Sequence, residues 1–292
     1  MASTITTPTV RPQAVHRRKR FSLVYLATHV VLLVVGFFYL FPFLWMIAGS
    51  LKTLNGFFTQ GLSLIPDGWV WRNYVDAWNV ARFGTYFQNT VFVTASVVLL
   101  TNFFSSMAGF VLARTQIPGR KFLIGAILVT LFLPRGYTII PTFETIIWLG
   151  LNNTLWAVVV VNTAGSLIFN TFLYMGYFST MHREIEEAAV IDGAGLMRLY
   201  WSIMLPLAGP MVATVTLFTF ISNWNDFFTP LVFTLGKPEL RTLAVGMFAF
   251  VGENSRDWTL TCAGAAISIM PIVIVFLFLQ RYFIEGIAGA VK

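Results

Sequence analysis

Residues 24–48 read VYLATHVVLLVVGFFYLFPFLWMIA, 25 positions without an Asp, Glu, Lys or Arg. A helix needs about 20 mostly apolar residues to cross the hydrocarbon core of a bilayer, and this run is long enough. It is too long for the apolar region of a cleaved signal peptide, about 7–15 residues. An uncleaved first span is therefore predicted, bent near Pro42. The basic stretch Arg17-Arg18-Lys19-Arg20 just before it reads as an orientation signal rather than a twin-Arg export signal. Residues 1–20 form a predicted cytoplasmic basic tail, disordered over its Thr- and Pro-rich start.

Working outward, five further segments have the length and apolarity of spans. They are Phe87–Ala113, Phe122 to about Ile147 with an interruption at Pro134-Arg135-Gly136, Leu155–Phe178, Gly209–Phe233 and Leu260–Tyr282. Helix is the state expected for each, because strands with open edges would leave backbone groups unpaired in lipid. Composition agrees: 11% of the 292 residues are charged, against roughly 25% in soluble domains. That leaves too little charge to coat a water-facing surface. The net charge of +7 sits beside apolar runs rather than in a basic stripe, which argues against nucleic-acid binding. Cys262 is the only cysteine, so neither an intrachain disulfide nor a Cys-based metal site is available.

With the N-terminus inside, twelve Lys and Arg fall on the inner side and seven on the outer. The excess places both termini in the cytoplasm. The prediction is an all-α integral membrane protein with six transmembrane helices over residues 21–292. Long connections lie outside at Gly49–Tyr86 and Thr234–Thr259, and inside at 179–208.

The inner connection is not a plain linker. Ile185, Ala188 and Ala189 recur at helical spacing, as do Leu196, Leu199, Tyr200 and Ile203. Between them Gly193 and Gly195 permit a sharp turn. Glu184, Glu186 and Glu187 sit early in the first piece, where a helix N-terminus favours negative charge. Pro206 is expected to end the second piece. Two short amphipathic helices of this kind either lie on a membrane or dock in a groove on a partner. Four acids, Glu184, Glu186, Glu187 and Asp192, argue against an anionic lipid surface.

The spacing Glu187-Ala188-Ala189, three residues, Gly193, nine residues, Ile203, one residue, Leu205-Pro206 resembles the EAA loop of ABC importer permeases, and Ile191-Asp192-Gly193-Ala194 within it is typical. Asn223-Trp224-Asn225-Asp226-Phe227, Arg241-Thr242-Leu243-Ala244-Val245-Gly246 and the tail Gln280-Arg281-Tyr282-Phe283 to Lys292 are similar to the carbohydrate-uptake branch. The likeness is closest to the maltose-type second permease subunit and runs from about Phe21 to the C-terminus.

This resemblance implies a type I importer permease in a bacterial or archaeal cytoplasmic membrane. It also implies a second homologous permease, two cytoplasmic ATPase subunits and an extracytoplasmic solute-binding protein as partners. Glu187 would be the acidic contact to the ATPase, with Ala188, Ala189, Asp192, Gly193, Ile203, Leu205 and Pro206 completing the coupling element. No GxxxxGK[ST] phosphate loop is present in the sequence, so ATP hydrolysis is assigned to other chains. No catalytic residue, metal or cofactor is expected here.

Polar groups inside spans are costly and tend to face a pathway or another helix. Asn223, Trp224, Asn225 and Asp226 suit a sugar, which pairs with aromatic faces, amides and carboxylates; helix packing is the alternative. Arg135, in the interrupted third span, either lines a cavity or snorkels to headgroups. Arg241, Glu253 and Arg256 are candidate contacts to the binding protein by resemblance, or belong to a solvated loop. An ion-gradient-driven transporter would show repeats and paired intramembrane acids, and a membrane enzyme a titratable cluster; neither pattern is seen. A permease for a non-sugar solute such as glycerol phosphate stays open.

Overall fold

The computed structural model describes residues 23–80, 82–132, 138–249 and 257–290. The expectations for the tail at 1–20, for Arg135, and for Glu253 and Arg256 lie outside the described residues. All regular structure among the described residues is helical.

Residues 23–45 form one unit, the greater part of helix α1 (Leu23–Ser50), which runs unbroken through Pro42. Its apolar side chains, among them Leu33, Phe38 and Tyr39, are exposed, as a lipid-facing or partner-facing helix requires. His29 lies 2.8 Å through Nδ1 from the Tyr25 carbonyl of its own helix.

Residues 46–292 form the second unit. After α1 come α2 (Leu54–Thr59), α3 (Arg72–Val80), α4 (Phe83–Arg114), α5 (Arg120–Thr130), α6 (Ile139–Trp148) and α7 (Leu155–Thr180). Then follow α8 (Arg183–Ile191) and α9 (Leu196–Leu207), whose middle, Tyr200–Met204, is π-helical. The rest are α10 (Gly209–Trp224), α11 (Phe228–Phe233), α12 (Leu243–Ala249) and α13 (Trp258–Ala290). Local chemistry starts several of them. The Thr154 hydroxyl accepts the Ala157 N–H at 3.2 Å and caps α7, and Thr53 does the same for Gly56 at 2.9 Å at the head of α2. Asp67 then accepts the Thr53 N–H at 3.0 Å and clips the loop after α2 back onto that cap.

Helices α4 and α7 form the central pair. Their backbones approach at Gly109, where a Cβ would lie 2.5 Å from the Tyr174 Cβ and 2.8 Å from the Met175 nitrogen. A hydrogen-bonded chain crosses the pair and reaches α10. The Tyr174 hydroxyl donates to Asn102 Oδ1 at 2.6 Å, and Asn102 Nδ2 lies 3.2 Å from Thr216 Oγ1. One apolar cluster sits at each end of the pair. Phe110, Tyr174 and Phe178 collect Ala189, Leu199, Tyr200 and Met204 at one end; Val93, Val97, Val158 and Phe233 meet at the other.

Four helices, α1, α4, α7 and α13, are long and apolar enough to cross a membrane. A fifth crossing results if α9 and α10, bent by 74°, are counted together. The third span, expected with an interruption at Pro134-Arg135-Gly136, contains two described helices of 11 and 10 residues, each reaching only about 16 Å at 1.5 Å per residue. The expected fifth span, Gly209–Phe233, leaves the helix at Asn225 (φ −93°, ψ 1°), and α11 follows as a separate turn. Pro206 does not end its helix either. The Leu205 N–H reaches back to the Tyr200 carbonyl in a widened turn just before the proline, and the chain bends after Leu207.

Because Gly109 admits no side chain, Gly109→Val is expected to overpack the α4–α7 contact and cost about 1–3 kcal/mol. Thermal unfolding of the detergent-purified protein measures this as a lowered Tm.

Candidate functional site

Helices α8 and α9 form a corner at one end of the α4–α7 pair. Gly193, at φ +76°, makes the turn. The Gly193 N–H donates to the Val190 carbonyl and the Ala194 N–H to the Ala189 carbonyl, both at 2.9 Å. This pattern, with a left-handed residue just past the helix, closes the end of α8. Nothing lies within 4 Å of where a Gly193 Cβ would be, so conformation selects glycine here and space does not. Gly195 has φ −72° and starts α9 in extended conformation.

The corner has an inner and an outer face. Ala189, Leu199, Tyr200 and Met204 are buried against Phe110 and Phe178, and Ile185, Ile203 and Leu205 are half-buried. The Tyr200 hydroxyl lies 2.7 Å from Ser106 Oγ of α4. Glu187, Ala188, Asp192 and Pro206 are exposed. Beside them Val190 is 61% and Ile191 85% exposed, with Leu196 and Met197 also uncovered. Apolar side chains next to exposed acids on a small corner make a surface suited to a protein groove with a basic rim.

Glu186 behaves differently from its neighbours. Its carboxylate meets Arg114 of α4, Nε to Oε1 at 2.9 Å, with side chains only 18% and 6% exposed. The same guanidinium donates to the Phe178 carbonyl and, at 2.6 Å, to the Met181 carbonyl where α7 ends. In the sequence Arg114 is one of the twelve inner-side Lys and Arg residues. Its position at the end of a span, with acids opening the next helix, was the available signal.

A second feature is a cavity of about 490 Å³ between α6, α7, α10 and α11. Asn162, Ser166, Ser222, Asn223 and Asp226 line it, with Thr142 and Thr229. Asn162 Nδ2 donates to Asp226 Oδ2 at 2.8 Å, and the Thr229 N–H to Oδ1 at 3.3 Å. Among the described residues no cation pairs with Asp226. Asn162 lies within the Leu155–Phe178 segment read from sequence as a span; spacing along one helix does not show that it meets the break after α10.

The structure separates the Asn223–Asp226 run. Asn223 and Asp226 face this cavity, while Trp224 and Asn225 face a smaller one of about 260 Å³ toward α12 and α13. Trp224 is 4% exposed, stacks on Phe220, meets Phe87 edge-on and donates through Nε1 to the Ser268 carbonyl at 2.9 Å. Asn225 bonds its own helix at Ile221.

Arg241 belongs to a segment clamped on α4. Asn89 Nδ2 donates to the carbonyls of Glu239 at 2.8 Å and Arg241 at 3.0 Å, and the Leu243 N–H to Thr90 Oγ1 at 2.7 Å. A Cβ on Gly246 would meet the Tyr86 ring at 2.2 Å. The Arg241–Gly246 motif is thus a fitted seat on the head of α4.

Long apolar helices around a polar cavity, with an exposed amphipathic corner at one end, define a membrane transport permease. The chain belongs to the family of binding-protein-dependent transport system inner membrane components, whose model matches residues 78–289. It is 35% identical to the probable ABC transporter permease protein YurM of Bacillus subtilis, covering 86% of this chain and 83% of that protein. It is 33% identical to the melibiose/raffinose/stachyose import permease protein MelC of the same organism, covering 86% and 91%. Among solved structures, a bacterial ABC transporter involved in the import of the acidic polysaccharide alginate contains a chain that superposes with a TM-score of 0.76. That chain is 25% identical, with 89% of this chain and 96% of that one covered.

Burial at the Asn223–Asp226 run predicts a contrast in stability. Trp224→Ala is expected to cost about 3–5 kcal/mol, whereas Asn225→Ala stays within about 0.5 kcal/mol. Denaturation of the two purified variants side by side tests it.

Proposed function

We propose that the chain is one of two homologous permease subunits forming the pathway of an ATP-driven, binding-protein-dependent importer for a sugar or related polar solute. Two cytoplasmic ATPase chains and an extracytoplasmic binding protein complete the assembly. The observation that carries the reading is the α8–α9 corner: a glycine-turned helix pair, packed inward on α4 and α7, exposing Glu187, Ala188 and Asp192 among uncovered apolar side chains. In this proposal Glu187 contacts a basic ATPase residue. Ala189, Gly193, Ile203, Leu205 and Pro206 give the corner its shape. Closure of the ATPase pair moves the corner, and the spans rock between inward-open and outward-open forms.

The proposed topology has six spans: α1, α4, α5 with α6, α7, α10 with α11, and α13. Residues 21–292 constitute the transmembrane domain, preceded by the tail at 1–20. Both termini and the corner lie in the cytoplasm, in agreement with the excess of Lys and Arg on that side. The segment around Arg241, with Glu253 and Arg256 in the same loop, is then extracytoplasmic and is proposed to meet the binding protein.

Asn162, Asn223 and Asp226, with the hydroxyls around them, are proposed to face the solute; Arg135 keeps its proposed place on the pathway. Amides, hydroxyls and one carboxylate match the donors and acceptors of a polyol. MelC is named for neutral oligosaccharides, the alginate importer for an acidic polymer. The Asp226 carboxylate, which accepts hydrogen bonds from sugar hydroxyls, favours the neutral class; a non-sugar solute such as glycerol phosphate is the alternative. Trp224, buried among Phe87 and Phe220, supports the cavity from behind.

Two experiments test this. Glu187→Lys is expected to abolish uptake and release the ATPase during purification while membrane insertion is normal; undiminished ATPase retention would refute the docking role. The binding protein of the same transport system, isolated with its bound solute, is expected to yield a neutral oligosaccharide by mass spectrometry. Recovery of a phosphorylated or carboxylated solute would overturn the assignment.

A further inference from the structure

Arg114 ties together three elements, its own helix α4 and acceptors from α7 and α8. Its own backbone ends α4, its guanidinium donates to Phe178 and Met181 carbonyls at the end of α7, and it pairs with Glu186 in the first turn of α8. With 6% of the side chain exposed, the group has little access to water and depends on these oxygens for its solvation. The planar guanidinium can address separate acceptors at fixed angles, which a lysine ammonium on a flexible stem cannot do as rigidly. The acceptors on α7 are carbonyls at a helix C-terminus, where positive charge is favoured.

We infer that Arg114 with Glu186 is the strut that makes α8 move as one body with α4 and α7, a positioning pair distinct from the exposed residues that would touch the ATPase. This rests on the reading of the α8–α9 corner as the coupling element. Otherwise, among the described residues, α8 is tied to the helix pair by packing and by the short chain link from Thr180 to Arg183. Ala189 is its one buried side chain, and the turn at Gly193 ties it to α9 rather than to α4. A helix seated on one small buried side chain and the half-buried Ile185 can slide when pulled. The charge contact between Glu186 and Arg114 of α4, at 2.9 Å, opposes that sliding. Tyr200 and Ser106 do the equivalent for α9.

The test uses the assembled importer, purified with its ATPase chains and placed in lipid nanodiscs. Cys262→Ala removes the native thiol, and nitroxide labels go on Glu184→Cys in α8 and Leu99→Cys on the exposed side of α4. Pulsed electron-electron resonance measures the distance between them without nucleotide and with ATP and vanadate. With the strut intact the distribution is expected to stay the same in both states, because α8 and α4 move together. In Glu186→Gln, which keeps size and shape, it is expected to shift or broaden on trapping, and Arg114→Lys is expected to behave likewise. A distribution that changes with nucleotide in the unaltered pair overturns the inference. So does one that stays fixed in Glu186→Gln, since a merely structural contact predicts that result. Loss of the ATPase in Glu187→Lys reports on the docking reading separately, and neither distance outcome depends on that variant.

Discussion

The close approach of α4 to α7 at Gly109 is the constraint on which the rest of the second unit depends. A side chain at that point would occupy the space of Tyr174 and the backbone of Met175. With hydrogen there instead, the two helices lie backbone to backbone, as small residues permit in membrane proteins. No net hydrophobic force holds helices together inside lipid, so close packing and interhelical hydrogen bonds must do it. The Tyr174–Asn102–Thr216 chain supplies the second of these and brings α10 into the same frame. The polar cavity opens near one end of this frame and the α8–α9 corner sits at the other.

The two ends handle polarity in opposite ways. At the corner, charges are either drawn inward into an ion pair, as with Arg114 and Glu186, or exposed, as with Glu187 and Asp192. Engaged charge gives rigidity and exposed charge gives recognition, and adjacent residues on α8 divide the two tasks. In the cavity, polarity is partial. Asp226 is held by one amide and one backbone N–H, which leaves acceptor capacity on a carboxylate that can take several hydrogen bonds. Breaking the helix at Asn225 is what brings this carboxylate to the cavity. An unbroken α10 would have carried the ladder of backbone bonds past it.

Much of this was legible in the sequence. Apolar runs gave α1, α4, α7 and α13 to within a few residues at most of their ends, because lipid imposes a length that composition can meet only in one way. The corner was legible as well: 3.6-residue periodicity on both sides of Gly193 fixed two helices and the turn. The interruption by Pro134-Arg135-Gly136 was visible, but not that it leaves two helices too short to cross alone. The site was less legible, for a geometric reason. Asn223 to Asp226 are consecutive, and a helix places consecutive residues about 100° apart, so one motif served two faces. Trp224 and Asn225 went one way, Asn223 and Asp226 the other. Asn162 and Arg114 lie 64 and 72 positions from Asp226 and Glu186. Pairings at that separation are properties of the fold, and a single sequence carries no record of them.

The exposed side of the corner is where fold and proposed function meet. Lipid would accept Val190, Ile191, Leu196 and Met197 but not the uncovered Glu187 and Asp192 among them, since an anionic membrane surface repels carboxylates. Water would accept the acids but not a cluster of large apolar side chains, which marks an interaction surface when it is left open on a protein. A protein groove with apolar walls and a basic rim satisfies both at once. The turn at Gly193 sharpens the argument, because it orders the corner through backbone bonds of its own rather than through contacts on its outer side. A surface already rigid loses little conformational freedom when it docks. It also passes on a displacement instead of absorbing it, which is the mechanical property an ATP-driven permease needs at the point where it is pushed.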